Sequence, residues 1–141
     1  MNLNGNWKLY YSLQDSVKIP NVTELKNSGI PFVEATVPGN VELDLSKAGI
    51  LPEDLFKGMN ILKAEEYENY EWWYEKSFTA PAAPTNTEKV VLHFGAVDCF
   101  ATYYLNGEKI GESDNMFIAN DFEVTDKIKY NEENTLVVHI K

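Results

Sequence analysis

Asn106-Gly107 restricts this chain more than any other pair of residues. It follows an apolar run, Cys99 to Leu105, and precedes a short return segment. A two-residue turn between paired strands needs positive φ at both central positions, and Asn-Gly accepts that geometry readily. The segment from Asp98 to Phe117 therefore reads as a strand, a tight turn, a return strand, and a polar loop ending in an aromatic.

Other segments agree with a β-rich fold. Trp7 to Leu13 is apolar-rich and suits a strand. Residues 14–31 hold Pro20, Gly29 and Pro31 and read as an irregular excursion. Phe32 to Val37 alternates. After a Pro38-Gly39 turn, Asn40 is a candidate N-cap for a short helix, Val41 to Ala48. Val41, Leu45 and Ala48 would share its buried face, and Gly49 fits its C′ position. Residues 50–71 read as a long surface segment with an acidic run. Strands are expected at Trp72 to Thr79, Lys89 to Phe94, Cys99 to Leu105, Asp121 to Val124 and Thr135 to Ile140. Ala80 to Thr87 is a loop, and Asn131 to Asn134 a polar turn. Many strands and one short helix imply an all-β sandwich.

Composition narrows the function classes. The chain has 141 residues, enough for one domain with its own core, and carries a formal charge of −10. All 12 basic residues are Lys, so no guanidinium fork exists to grip phosphate. Nucleic acid and an anionic membrane surface are poor partners for such a chain. No apolar run reaches transmembrane length. Met1 to Trp7 lacks a basic n-region and an apolar h-region. The compartment stays open: cytoplasmic, or periplasmic or secreted if a leader was removed. Cys99 is the single cysteine and reads as an inert, buried thiol in a strand. His93 and His139 lie in strands without Cys or acid at metal-ligand spacing, so no metal or cofactor is expected. Asn21-Val-Thr23 matches a glycosylation acceptor, a triplet common by chance.

The order of several short motifs resembles the N-terminal sugar-binding domain of family 2 glycoside hydrolases, most closely the β-mannosidase branch. The pieces are Gly5-Asn-Trp-Lys8, Val37-Pro-Gly-Asn-Val41 with Asp44-Leu45, Ala48-Gly-Ile50, Gly58-Met-Asn60, and Trp72-Trp-Tyr74 leading to Phe78. They continue with Phe94-Gly-Ala-Val-Asp98, which carries Ala96 as an insertion, then Leu105-Asn-Gly107, Gly111, Asp114-Asn-Met-Phe117, Phe122-Glu-Val-Thr125 and Asn134-Thr-Leu136. The resemblance implies a jelly-roll β-sandwich of the galactose-binding-domain-like kind over residues 1–141. It implies a noncatalytic domain that helps wall an active site and position a catalytic barrel. The alternatives are an autonomous carbohydrate-binding module and a structural spacer. The implied partners are carbohydrate, through the full-length enzyme, and that enzyme's barrel and immunoglobulin-like domains.

A retaining glycosidase needs two carboxylates about 5 Å apart across the scissile bond. The 22 acids here mark out no such pair. The chain stops at Ile140-Lys141 on a strand, which reads as a piece of a larger enzyme. A missing strand would expose a sheet edge, so self-association is expected. In the resemblance, Asp114 and Asn115 are the candidate sugar contacts, since a carboxylate accepts two bonds from neighbouring hydroxyls. A turn role is the ordinary alternative. Trp72 and Trp73 are weaker candidates for stacking on a pyranose, because alternation places them on opposite faces and sends at least one into a core. Met116 and Phe117 would form an exposed apolar patch or pack on the barrel.

Overall fold

A computed structural model describes residues 1–17, 22–85 and 87–141. Asn21, the candidate glycosylation acceptor, and Pro20 lie outside these residues. The elements run β1 (Gly5–Leu13), β2 (Phe32–Val37), α1 (Val41–Lys47), β3 (Tyr70–Thr79), β4 (Val91–Phe94), β5 (Ala101–Leu105), β6 (Glu108–Ser113), β7 (Asn120–Glu123) and β8 (Glu133–Ile140). Two 3-10 segments, Val22–Asn27 and Asn60–Tyr67, lie within the two long excursions.

A six-stranded antiparallel sheet has the order β2-β1-β3-β8-β5-β6, and β4 and β7 pair as a second sheet. Together they form a jelly-roll sandwich of the galactose-binding-like type with a little helix. Alternation sorts the large sheet into two faces. Its inner face sends Trp7, Leu9, Trp72, Tyr103, Leu105, Leu136 and Val138 into the main core. Leu92 from the small sheet, Leu45 from α1, and Leu51, Leu55, Val124 and Ile128 from the connections close over them. Burying one such side chain stabilises the fold by roughly 1.5–3 kcal/mol. The outer face carries Tyr10, Trp73 and Val137, covered by Val22 and Leu25.

The helix is capped as its sequence implies. Asn40 Oδ1 accepts the Leu43 N–H at 2.9 Å, and Gly49 follows the helix with φ of +75°. Its buried face differs, however. Ala48 is exposed and Asp44 is buried beside Leu45, because the Asp44 carboxylate reaches back to accept the Thr36 N–H at 3.0 Å. That bond ties the helix to β2.

Three other boundaries move. Cys99 is half-buried in the loop before β5, which begins at Ala101. The surface segment 50–71 contributes buried Leu51 and Leu55 and ends in the first residues of β3. Asn134 belongs to β8 rather than to the preceding turn, and it is fully buried. Its side chain explains the burial. Nδ2 donates to the carbonyls of Lys129 (2.8 Å) and Glu132 (3.0 Å), while Oδ1 accepts from the Lys129 N–H (2.8 Å) and Asn106 Nδ2 (2.9 Å). All four hydrogen-bonding positions of the amide are used, which is what permits an amide in a core.

Candidate functional site

The loop from Asp114 to Ile118 leaves β6 at the end of the hairpin. Asn106 and Gly107 have φ of +53° and +85°, the left-handed pair the turn requires. Asn106 also donates to Lys127 O and accepts the Thr135 N–H, so the turn is fastened to its surroundings. From Leu105 opposite Glu108 the register runs, through a bulge at Tyr103/Tyr104, to Ala101 opposite Ser113. Tyr103 Oη and Ser113 Oγ, 2.9 Å apart, hold the end of β6 against the core. Asp114 is the next residue and is exposed.

Asn115 is exposed too, and its Oδ1 accepts the Phe117 N–H at 2.9 Å. That is the turn role open to an Asn, and it commits one acceptor of the side chain. Met116, Phe117 and Ile118 are all exposed, with Phe117 at 87%. The loop thus presents a carboxylate and three apolar side chains to solvent.

Asp114 lines an open cleft of about 480 Å³, together with Phe100, Thr102, Glu112, His139 and Lys141. Electrostatically the cleft is mixed. Lys141 Nζ lies 2.9 Å from Asp15 and 3.4 Å from the buried Glu71. His139 Nε2 pairs with Glu71 Oε2 at 2.8 Å, and its ring stacks on Trp73 with centroids 4.7 Å apart. Burial holds the His139 imidazole below its ordinary pKa, and the Glu71 carboxylate offsets part of that shift.

The two tryptophans stand elsewhere. Trp72 is buried in the main core among Tyr11, Tyr67 and Tyr70, with centroids 5.7–6.3 Å away. Trp73 is buried on the opposite face between Tyr10, Val137 and His139. Neither ring offers an open face for stacking in this arrangement; both pack protein. Asp114 shares its cleft with neither of them. What sequence reasoning missed is Phe100, the exposed aromatic of the cleft, and the approach of His139 and Lys141 to it. A period of two on three neighbouring strands (Phe100 and Thr102, Glu112 and Asp114, His139 and Lys141) was the available signal.

His93 pairs with Asp121 at 2.6 Å across β4 and β7, away from this cleft. Among the described residues, no three His, Cys, Asp or Glu side chains group as a metal site.

The chain matches known proteins over most of its length. Residues 12–141 match the family described as glycosyl hydrolase 2 galactose-binding domain-like. Beta-mannosidase B from Thermothelomyces thermophilus is 43% identical over 101 residues, covering 72% of this chain and 12% of that protein. A probable beta-mannosidase from Caenorhabditis elegans is 32% identical over 141 residues, 100% of this chain and 14% of that one. Among solved structures, a beta-D-mannosidase from Dictyoglomus thermophilum superposes with a TM-score of 0.80 at 34% identity, over 99% of this chain and 15% of that one. A β-glucuronidase from Ruminococcus gnavus gives a TM-score of 0.68 at 25% identity. The chain thus spans 12–15% of the length of those mannosidases. Fold, motif order and these matches agree, and the chain belongs to the galactose-binding domain-like family of glycosyl hydrolase 2.

Proposed function

We propose that residues 1–141 form one noncatalytic domain of a larger glycoside hydrolase acting on β-mannosides, and that the Asp114–Asn115 loop walls one side of its active site. The observation that carries this reading is the placement of Asp114. It is an exposed carboxylate at a fixed strand end, beside a projecting apolar loop. A carboxylate held there accepts hydrogen bonds from sugar hydroxyls, while Met116 and Phe117 pack against the catalytic barrel. The mannosidase relatives support the substrate class, and their greater length supports a multidomain parent. Carbohydrate then reaches the domain through the whole enzyme, alongside the barrel and immunoglobulin-like domains.

Asp114→Ala in the full-length enzyme tests the reading. Loss of one transition-state contact lowers kcat/KM about tenfold, or ~1.4 kcal/mol, on an aryl β-mannoside. An unchanged kcat/KM removes Asp114 from the active-site wall and leaves a structural spacer.

A further inference from the structure

Two Asn-Gly pairs occur in this chain, Asn4-Gly5 and Asn106-Gly107. The pair is chemically labile in water, because glycine has no Cβ to shield its backbone nitrogen from the preceding side-chain amide. The fold treats the two pairs differently. Asn4 is exposed, and among the described residues its side chain has no hydrogen-bond partner.

Asn106 is half-buried, and its amide is engaged on every side. Oδ1 accepts the Thr135 N–H at 3.1 Å, while Nδ2 donates to Asn134 Oδ1 at 2.9 Å and to Lys127 O at 3.3 Å. The backbone N–H of Asn106 donates to Thr135 O at 2.8 Å. The side-chain carbonyl thus stands in for a backbone carbonyl and continues the β5–β8 ladder one step past Leu105 and Leu136. Lys127 Nζ also pairs with Glu108, the residue after Gly107. The turn is clamped to β8 and to the segment before it.

Deamidation needs another geometry. The Gly107 nitrogen must come within about 3–3.5 Å of Asn106 Cγ and attack it. A Cγ–N bond forms, the Cγ–Nδ2 bond breaks, and Nδ2 leaves as ammonia with the proton lost from the Gly107 nitrogen. Water then opens the cyclic imide. Cleavage at Cγ gives aspartate; cleavage at the Asn106 carbonyl carbon gives isoaspartate, with one more methylene in the backbone. Closing the ring turns the amide away from Thr135, Asn134 and Lys127, so the docked turn opposes it.

We propose that Asn106 is a fold-gated deamidation site, intact while the hairpin end is docked on β8 and converted when that end lifts away. Conversion is a one-way mark. Aspartate has no donor for Lys127 O or for the buried Asn134 Oδ1, and it sets a carboxylate against both. Isoaspartate lengthens a turn whose two-residue span fixes the β5–β6 register. Either product opposes redocking, and through β6 it disturbs the strand end that carries Asp114.

Incubating the 141-residue chain at mildly alkaline pH tests the proposal, with conversion read by peptide mapping and by isoaspartate-specific methyl transfer. In unfolding urea both Asn-Gly pairs should convert at rates within about twofold of each other. In buffer Asn106 should lag Asn4, and its own rate in urea, by about tenfold or more. Asn106→Asp, which mimics one product, should lower the urea midpoint. Conversion of Asn106 in buffer as fast as Asn4, or as fast as in urea, overturns the gate. An Asn106 that stays intact in urea removes the site. An unchanged midpoint in Asn106→Asp overturns the one-way mark.

Discussion

At the residue scale, two asparagines, Asn106 half-buried and Asn134 fully buried, show how neighbours decide a role. Asn106 was legible as a turn residue, because its φ requirement is local. Asn134 was not, because its four partners come from Asn106, Lys129 and Glu132 and are assembled by the fold. His139 is the titrating example. Burial lowers its pKa in the folded state despite Glu71, so the native chain binds this proton less readily than the unfolded chain does. Stability from this group is therefore complete at pH values above the ordinary imidazole pKa of 6.5 and declines as pH falls below it. Urea melts between about pH 8 and about pH 5 should show that loss, and His139→Gln should flatten it. An identical slope in the variant would assign the dependence to other groups.

At the element scale, periodicity identified the strands and missed some of their ends. β2 spans Phe32–Val37 as the alternation predicts, and β8 divides Leu136, Val138 and Ile140 from Val137 and His139 as expected. Strand ends depended on tertiary partners. β3 gains Tyr70 and Glu71 because they pair with Leu13 and Ser12. β6 contains a packing constraint that its sequence does not announce. Gly111 lies against the Phe122 ring, which also packs on Tyr103 at 4.8 Å, and a Cβ at position 111 would run into that ring. Gly111→Ala should destabilise the chain by about 1–3 kcal/mol, read as a lower denaturation midpoint. An unchanged midpoint would mean that the two sheets separate at little cost.

At the scale of the whole molecule, the two sheets are unequal, six strands against two. Among the described residues, β4 and β7 pair only with each other, and Val91 on β4 is exposed. Phe56, Met59 and Phe117 are exposed as well. Free strand edges and apolar side chains recruit other chains. The 141-residue chain should therefore show a light-scattering mass that rises with concentration, and Val91→Lys should reduce the rise. A strict monomer at high concentration would contradict this. By itself the sequence determined the Asn106-Gly107 hairpin, the helix with its Asn40 cap, the β class and the family resemblance. These follow from local φ preferences, from side-chain period and from motif order. Only the tertiary structure decided which aromatics are core and which are surface. A strand pattern cannot say that both faces of β3 are covered, burying Trp72 and Trp73 together. Nor can it say that three strands align to leave Phe100 open beside Asp114. Cross-strand register and the layer above each face set those outcomes, and both arise from residues far apart in the chain.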